Sequence, residues 1–344
     1  MPHISVTVPV YNRAHLVGRT IDCILQQTFQ DFDVLIVDDA SQDNTAEVVK
    51  SYCARDPRLK LVVNPVNLGL TRNWNKCLDL AAGPLVQIMQ SDDLIDSDYL
   101  QLVSDTFEQY PDLGFVAANC RYIDANDCVF GSNPSIEPHY YLAGDEAVKA
   151  LLTGGYPHVS SIIIRRACYE EVGKFSEAIW HGPDMEMDVR LAAHYGFYHF
   201  GTVHTSFRRH GSNMGNLEYL REDFLEVDRI KKRKTWEYLS PESQRRMGVD
   251  DLDRYLATDA AITALNGAIV TLAYGRSRLA RYYLRQAVKF DKRMWRNQRW
   301  WLAIILSLVP PLGRQVMERR LEVNSNDQVI ANLTETSLQA LGRM

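Results

Sequence analysis

Asp33-Val34-Leu35-Ile36-Val37-Asp38-Asp39 is the stretch that decides the fold. An unbroken apolar run that closes on two carboxylates reads as a strand buried on both faces, the pattern of a parallel sheet covered by helices. Upstream, Ile4-Ser5-Val6-Thr7-Val8-Pro9-Val10 is strand-like, and Leu16, Ile21, Ile24 and Leu25 then fall at helical spacing. Downstream a helix is expected from Asn44, where Asn44 and Glu47 have capping-box spacing. Leu59–Val63 reads as a strand, Asn73–Ala82 as a helix and Leu85–Met89 as a further strand. This β-α-β-α-β-α-β order predicts an α/β, doubly wound, mostly parallel sheet with right-handed crossovers.

Polar residues gather where those strands end: Tyr11-Asn12-Arg13, Asp38-Asp39-Ala40-Ser41 and Gln90-Ser91-Asp92-Asp93. Ligands of open α/β sheets bind beyond the carboxyl ends of the strands, so the three clusters are expected to line one crevice. Adjacent carboxylates at a buried strand end repel one another and lose solvation, and a divalent cation shared with a diphosphate relieves both penalties. Asp38 at its strand end suits a base N–H or a ribose hydroxyl, with Asp39 or Ser41 capping the next helix.

Further along, a helix is expected near 98–109, a strand at Gly114–Ala118, a loop-rich stretch near 122–142 and a last element at Tyr198–Arg208. From about 217 the pattern is helical throughout, so the chain divides into a domain at 1–215 and a helical region at 216–344. The net charge of −5 conceals an asymmetry. Residues 1–275 carry 25 Lys/Arg against 38 Asp/Glu, whereas 276–320 carry 12 basic residues against Asp291 and Glu318. An acidic N-terminal part is a poor nucleic-acid binder, while the basic segment suits an anionic surface. The apolar run around Trp300-Trp301-Leu302-Ala303-Ile304-Ile305-Leu306 is too short to span a bilayer. With basic residues just before it, it suits either an interfacial helix, giving peripheral membrane contact through 290–311, or the core helix of a helical subdomain. Met1-Pro2-His3 shows no basic n-region, and the six cysteines are scattered without a CxxC pair. Both features fit a reduced cytoplasmic protein without structural zinc, and the 290–311 segment adds the expectation of a peripheral place at the inner face of the cell membrane.

Taken together, Val8-Pro9-Val10-Tyr11-Asn12, Asp38-Asp39-Ala40-Ser41-Gln42-Asp43-Asn44-Thr45, Asn67-Leu68-Gly69 and Ser91-Asp92-Asp93 resemble glycosyltransferase family 2, whose members have the GT-A fold. The resemblance covers about residues 3–212. It implies that Pro9, Tyr11, Asn12, Asp38, Asp39, Asn67, Arg72 and Asp92 contact a nucleotide-sugar, and that Asp93 binds Mn2+ or Mg2+. In Phe207-Arg208-Arg209-His210-Gly211-Ser212, which resembles the family's closing segment, Arg208 is expected to face the diphosphate and His210 the metal. Asp184, in His181-Gly182-Pro183-Asp184-Met185-Glu186-Met187-Asp188-Val189-Arg190, matches the family's catalytic base, with Glu186 in reserve. His158 and Trp180 are placed near the acceptor. Two positions depart from the family pattern: Gln90 stands where an acid is common, and Pro183 where Glu is usual.

The implied reaction is inverting transfer of a sugar from a nucleoside diphosphate donor, with UDP favoured, to a glycan or lipid-linked acceptor hydroxyl in surface polysaccharide assembly. Two other readings compete with it: a nucleotidyltransferase and a non-catalytic sugar-nucleotide-binding protein. The first would carry a Gly-rich phosphate loop, which Pro9-Val10-Tyr11-Asn12-Arg13 is not. A dinucleotide oxidoreductase is disfavoured because no GxGxxG follows the first strand.

Overall fold

The structure, a computed structural model, describes residues 3–132, 139–153, 157–209, 218–309 and 316. It divides into two compact units, Met1–Arg208 with Glu237–Ser240, and Arg209–Trp236 with Pro241–Met344. The first unit is built on β1 (Ile4–Val10), β2 (Phe32–Asp38), β3 (Leu59–Val63), β4 (Leu85–Ile88), β5 (Leu94–Ile95), β6 (Leu113–Ile123), β7 (Val129–Ser132), β8 (Tyr140–Leu142), β9 (Ile163–Arg165) and β10 (Gly196–Arg208). Its helices are α1 (Val17–Leu25), α2 (Thr45–Cys53), α3 (Leu70–Leu80), α4 (Tyr99–Gln109), α5 (Gly144–Thr153), α6 (Arg166–Val172) and α7 (Pro183–His194).

The strands form one sheet in the order β3-β2-β1-β4-β9-β6-β10-β5, with β7 on β6 and β8 on β10. β1, β2, β3 and β4 are parallel, as the buried apolar runs required. All seven residues of β1 are buried, and Val34 and Ile36 of β2 are wholly covered. Past β4 the direction changes: β9 runs antiparallel to both β4 and β6, and β5 antiparallel to β10. Among the described residues only β6 and β10 are parallel in that half. The mixed α/β architecture follows the sequence, but the antiparallel insertion of β9 has no periodic signal, because a three-residue strand is too short to show one.

Two helix starts differ from expectation. The Asn44 side chain makes no capping hydrogen bond. Asp43 does this work instead, accepting from the Thr45 amide at 3.0 Å and the Thr45 hydroxyl, while its other oxygen accepts from Ala14 N at 3.1 Å. The third helix begins at Leu70 rather than Asn73, because Gly69 at φ +83° turns the chain immediately before it.

Asp39 holds that turn against the sheet. It is 3% exposed, and Oδ1 accepts from Asn64 Nδ2 at 2.7 Å and Leu68 N at 2.8 Å. Oδ2 accepts from Gly69 N at 2.9 Å. Asn64 also donates to Asn73 Oδ1, and Asn73 donates to Val37 O, so the start of α3 is tied to β2 through buried amides. A charged acceptor that satisfies two loop amides and a buried side chain contributes more than an ordinary hydrogen bond. Asp39→Ala is therefore expected to lower unfolding stability by about 2–4 kcal/mol in urea titration. A loss below about 0.5 kcal/mol, the range of neutral surface changes, would show that water replaces the carboxylate there.

The second unit is helical: α8 (Phe224–Glu237, whose last residue belongs to the first unit), α9 (Pro241–Arg246), α10 (Leu252–Ala273), α11 (Ser277–Phe290) and α12 (Gln298–Leu308). At 22 residues, α10 is long and apolar enough to cross a membrane, yet 78% of its apolar window is buried inside the protein. It is the core helix of this unit, and α11 packs on it with Ala280, Tyr283, Leu284 and Ala287 buried.

Candidate active site

The ends of β1, β2 and β4 lie side by side because the strands are paired in register, Val10 opposite Asp38 and Thr7 opposite Ile88. Beyond β1 the chain turns through Asn12 at φ 53°, and beyond β2 through Ala40 at φ 60°. Left-handed conformations at non-glycine residues cost energy and persist only where the surroundings enforce them. Here they do: Asn12 N donates to Ser41 Oγ at 2.9 Å, and Gln42 N donates to Asn12 Oδ1 at 2.7 Å. Asn12 thus joins the two loops. Pro9 is buried within β1, and Tyr11 is 43% exposed beside the turn.

Asp38 is 1% exposed, and its Oδ1 accepts from Ser41 N at 3.0 Å and Ser41 Oγ at 2.5 Å. Its Oδ2 is buried and has no partner among the described residues. A buried carboxylate oxygen without a donor is costly, and such an atom in a native fold calls for a ligand or ordered water. Gln90, beyond β4, likewise has a buried Nε2 without a partner, while its backbone N–H donates to Ser160 Oγ at 3.1 Å.

The second acidic pair splits in the same way as the first. Asp93 is fully buried. Its Oδ2 receives Ser160 Oγ at 2.5 Å and lies 2.5 Å from His158 Nε2, and its Oδ1 accepts from Arg208 N at 2.9 Å. The neighbouring Asp92 keeps its side chain 12% exposed and pairs with Arg13 Nε at 3.3 Å. Burial alone would push the His158 imidazole down, but the charge of Asp93, its hydrogen bond, and the more distant Asp184 and Asp92 outweigh burial and raise it. One carboxylate contacts the imidazole and two more act on it through their charge.

Asp184 occupies the first turn of α7, after Gly182 in the left-handed region and Pro183 at the first helical position. Proline is pre-organised for that position, and the helix dipole favours a carboxylate there. Asp184 is half-buried. Glu186, by contrast, is buried, paired with Arg190 at 3.1 Å and bonded by the Tyr238 hydroxyl at 3.2 Å, so both of its oxygens serve the fold. Trp180 is half-buried, next to Ile179, whose carbonyl accepts from Thr71 Oγ1 at 3.1 Å.

Several residues expected at the ligand have other work in this arrangement. Asp39 is saturated by the loop it anchors. Arg208 is 0% exposed: Nε donates to Asp92 O at 2.7 Å, Nη1 to Asp124 O at 2.8 Å, and Nη2 pairs with Asp127 at 2.5 Å. It braces the Asp92 turn from inside rather than reaching outward. Arg72 is exposed and pairs with Glu177 at 2.8 Å, and Asn67 Oδ1 accepts from Gly69 N at 3.1 Å. His210 lies outside the described residues. For a divalent ion the fit is poor, because both Asp93 oxygens are already taken by protein donors. No group of three or more His, Cys, Asp or Glu that could hold a metal occurs among the described residues. Sequence reasoning missed Ser160, the residue that ties Asp93, Gln90 and β4 together; a serine in an unpatterned loop carries no signal of a partner 67 positions away.

Because the folded-state value of His158 is raised, its ion pair with Asp93 stabilises the fold fully below about pH 6.5, the unfolded value, and the contribution is lost as pH rises through the higher folded value. In metal-free protein, NMR is expected to show His158 titrating above 6.5 and Asp93→Asn moving that midpoint down. An unchanged midpoint in the variant would contradict the pairing.

Comparison with known proteins bears on this arrangement. Residues 5–171 match the model of Glycosyl transferase family 2. The chain is 30% identical over 193 residues to the amylovoran biosynthesis glycosyltransferase AmsB of Erwinia amylovora, covering 54% of this chain and 62% of that one. It is 26% identical over 235 residues to the chondroitin synthase of Pasteurella multocida (strain Pm70), covering 66% of this chain and 23% of the relative. The chain spans between 20% and 62% of the length of these and other curated relatives. Among solved structures, S. aureus TarS 1-349 in complex with UDP-GlcNAc superposes with a TM-score of 0.59 at 17% identity, covering 86% of this chain and 92% of that one. That likeness establishes the fold as the GT-A type. Over residues 5–171 the chain is similar to glycosyl transferase family 2.

Proposed function

We propose that this chain is an inverting glycosyltransferase that moves a sugar from a nucleoside diphosphate donor to an acceptor hydroxyl. The observation that carries the reading is the unpartnered Oδ2 of Asp38 at the shared edge of β1, β2 and β4, in a fold whose neighbour TarS binds UDP-GlcNAc and UDP. On this reading Asp38 Oδ2 accepts a hydrogen bond from the base or ribose of the donor, which relieves its unmet demand. Gln90 Nε2, the second unpartnered atom, would donate to a phosphate or sugar oxygen. Asp92 and Arg13 line the path to the diphosphate. UDP is the favoured nucleotide, and the AmsB and chondroitin synthase relatives support an acceptor in polysaccharide assembly.

Asp184 is the proposed base. It takes the proton of the acceptor hydroxyl while that oxygen attacks the anomeric carbon opposite the departing diphosphate, so that one displacement inverts the centre. It is half-buried in the first turn of α7, where the helix dipole favours a carboxylate, and its charge is felt at His158. A divalent cation would be held at Asp93 only in competition with the His158, Ser160 and Arg208 donors that already engage both its oxygens.

The test is slow donor hydrolysis, in which water replaces the acceptor. Purified protein with UDP-GlcNAc or UDP-glucose, with and without Mn2+, is expected to release UDP. Proton NMR should show the β-anomer of the free sugar forming first from the α-linked donor. Asp184→Asn is expected to reduce release by at least about a hundredfold while nucleotide binding persists. Binding without cleavage in the wild type would favour the sugar-nucleotide-binding reading, and cleavage indifferent to Asp184 would remove it as the base.

A further inference from the structure

The helical unit carries two adjoining surface features, one basic and one apolar. On α11, Arg278, Tyr282 and Arg285 form an exposed stripe on the face opposite the buried Ala280, Tyr283, Leu284 and Ala287. With Arg276 and Arg281 they line a cavity of about 860 Å3, in which Glu222 is the single acid. The side chains of Arg276, Arg278 and Arg285 have no ion-pair or hydrogen-bond partner among the described residues. Like charges on adjacent turns of one helix repel, so this clustering costs stability unless an anion offsets it.

The next helix has an inverted surface. On α12 the buried positions include Ala303, Leu306 and Ser307, while Trp301, Ile305 and Leu308 are 50%, 58% and 68% exposed. They fall at i, i+4 and i+7, one face of the helix. A helix of a soluble protein turns polar residues outward; here the outward face after the first turn is apolar, and Val309 extends it at 48% exposure. Exposed Trp295 precedes it, with the Arg296 guanidinium 5.3 Å from its ring. The two features adjoin: Arg281 of the cavity donates to Ser307 O at 2.8 Å, in the turn of α12 that carries Leu308.

We propose that this unit docks on an anionic phospholipid surface, with the arginine cavity taking a phosphate-bearing headgroup and the Trp301–Ile305–Leu308 face resting at the acyl boundary. Charge complementarity selects this occupant. A soluble polyanion would satisfy the arginines but leave the apolar face in water, and a neutral apolar partner would leave the arginines unmatched. A lipid surface answers both, since buried apolar area and attraction to anionic headgroups add in interfacial binding. At 11 residues α12 lies on the membrane and does not cross it. The inference is independent of the reaction, and its test reads binding alone.

The full chain is sedimented with vesicles of phosphatidylcholine alone and of equal parts phosphatidylcholine and phosphatidylglycerol. Partitioning is expected to be at least about tenfold stronger on the anionic vesicles and to fall in 0.5 M NaCl. Arg278→Gln with Arg285→Gln, and separately Trp301→Gln with Leu308→Gln, are each expected to reduce it about tenfold or more; all four residues are exposed, and circular dichroism checks the fold. Vesicles carrying bromine on the acyl chains should quench tryptophan fluorescence in the wild type and less in Trp301→Phe. Three results overturn the proposal: no partitioning of the wild type, partitioning that survives both double variants, or arginine-dependent binding of soluble heparin with vesicles ignored.

Discussion

A carboxylate removed from water at the end of a strand must find donors, and this requirement organises the N-terminal unit. The chain places two adjacent acids at two strand ends, and each pair is resolved in the same way. The second acid, Asp39 or Asp93, turns inward and is saturated by amides, hydroxyls or an imidazole from distant segments. The first, Asp38 or Asp92, keeps an oxygen unpartnered or a side chain partly open at the crevice. At the end of β2 neighbouring residues point to opposite sides of the extended chain, and beyond β4 a turn separates Asp92 from Asp93, so in both places a consecutive pair supplies an anchor and a ligand group.

The anchors explain why loops far apart in sequence converge. Asp39 gathers the turn before α3, and Asp93 gathers the His158–Ser160 turn and the end of β10. Arg208, wholly buried, closes the same knot from below through the Asp92 and Asp124 carbonyls. Strain at Asn12 and Ala40 is held by Ser41 and Gln42, so the loops beyond β1 and β2 form one rigid rim. A rim fixed before ligand arrives lowers the ordering cost of binding.

How much of this was legible in the sequence follows from the range of each interaction. The strands β1 to β4 and the convergence of their polar ends could be read locally, because buried runs and strand-end acids announce themselves within a few residues. The roles inside each acid pair could not, since they depend on partners such as Ser160 and Leu68, 67 and 29 positions away. Arg208 was expected to face the diphosphate, yet its guanidinium braces the site from inside; an arginine in sequence does not reveal whether carbonyls already satisfy it. In the sequence Asp184 is the first candidate for the base with Glu186 in reserve, and burial with Arg190 and Tyr238 commits Glu186 to the fold. The apolar run at α12 leaves core and interface equally open in sequence, and the helix has both a buried face at Ala303 and Leu306 and an exposed one at Trp301, Ile305 and Leu308.

The division of labour within the acid pairs is tested most directly by calorimetric titration of UDP, dTDP, GDP and NAD into the wild type and Asp38→Asn, each with its melting temperature. The account predicts that one nucleoside diphosphate binds the wild type and that Asp38→Asn loses about tenfold or more in affinity. It also predicts that the variant keeps or raises its melting temperature, because an unsatisfied buried charge is removed. Unchanged affinity, or a variant that unfolds, would contradict it by making Asp38 one more anchor.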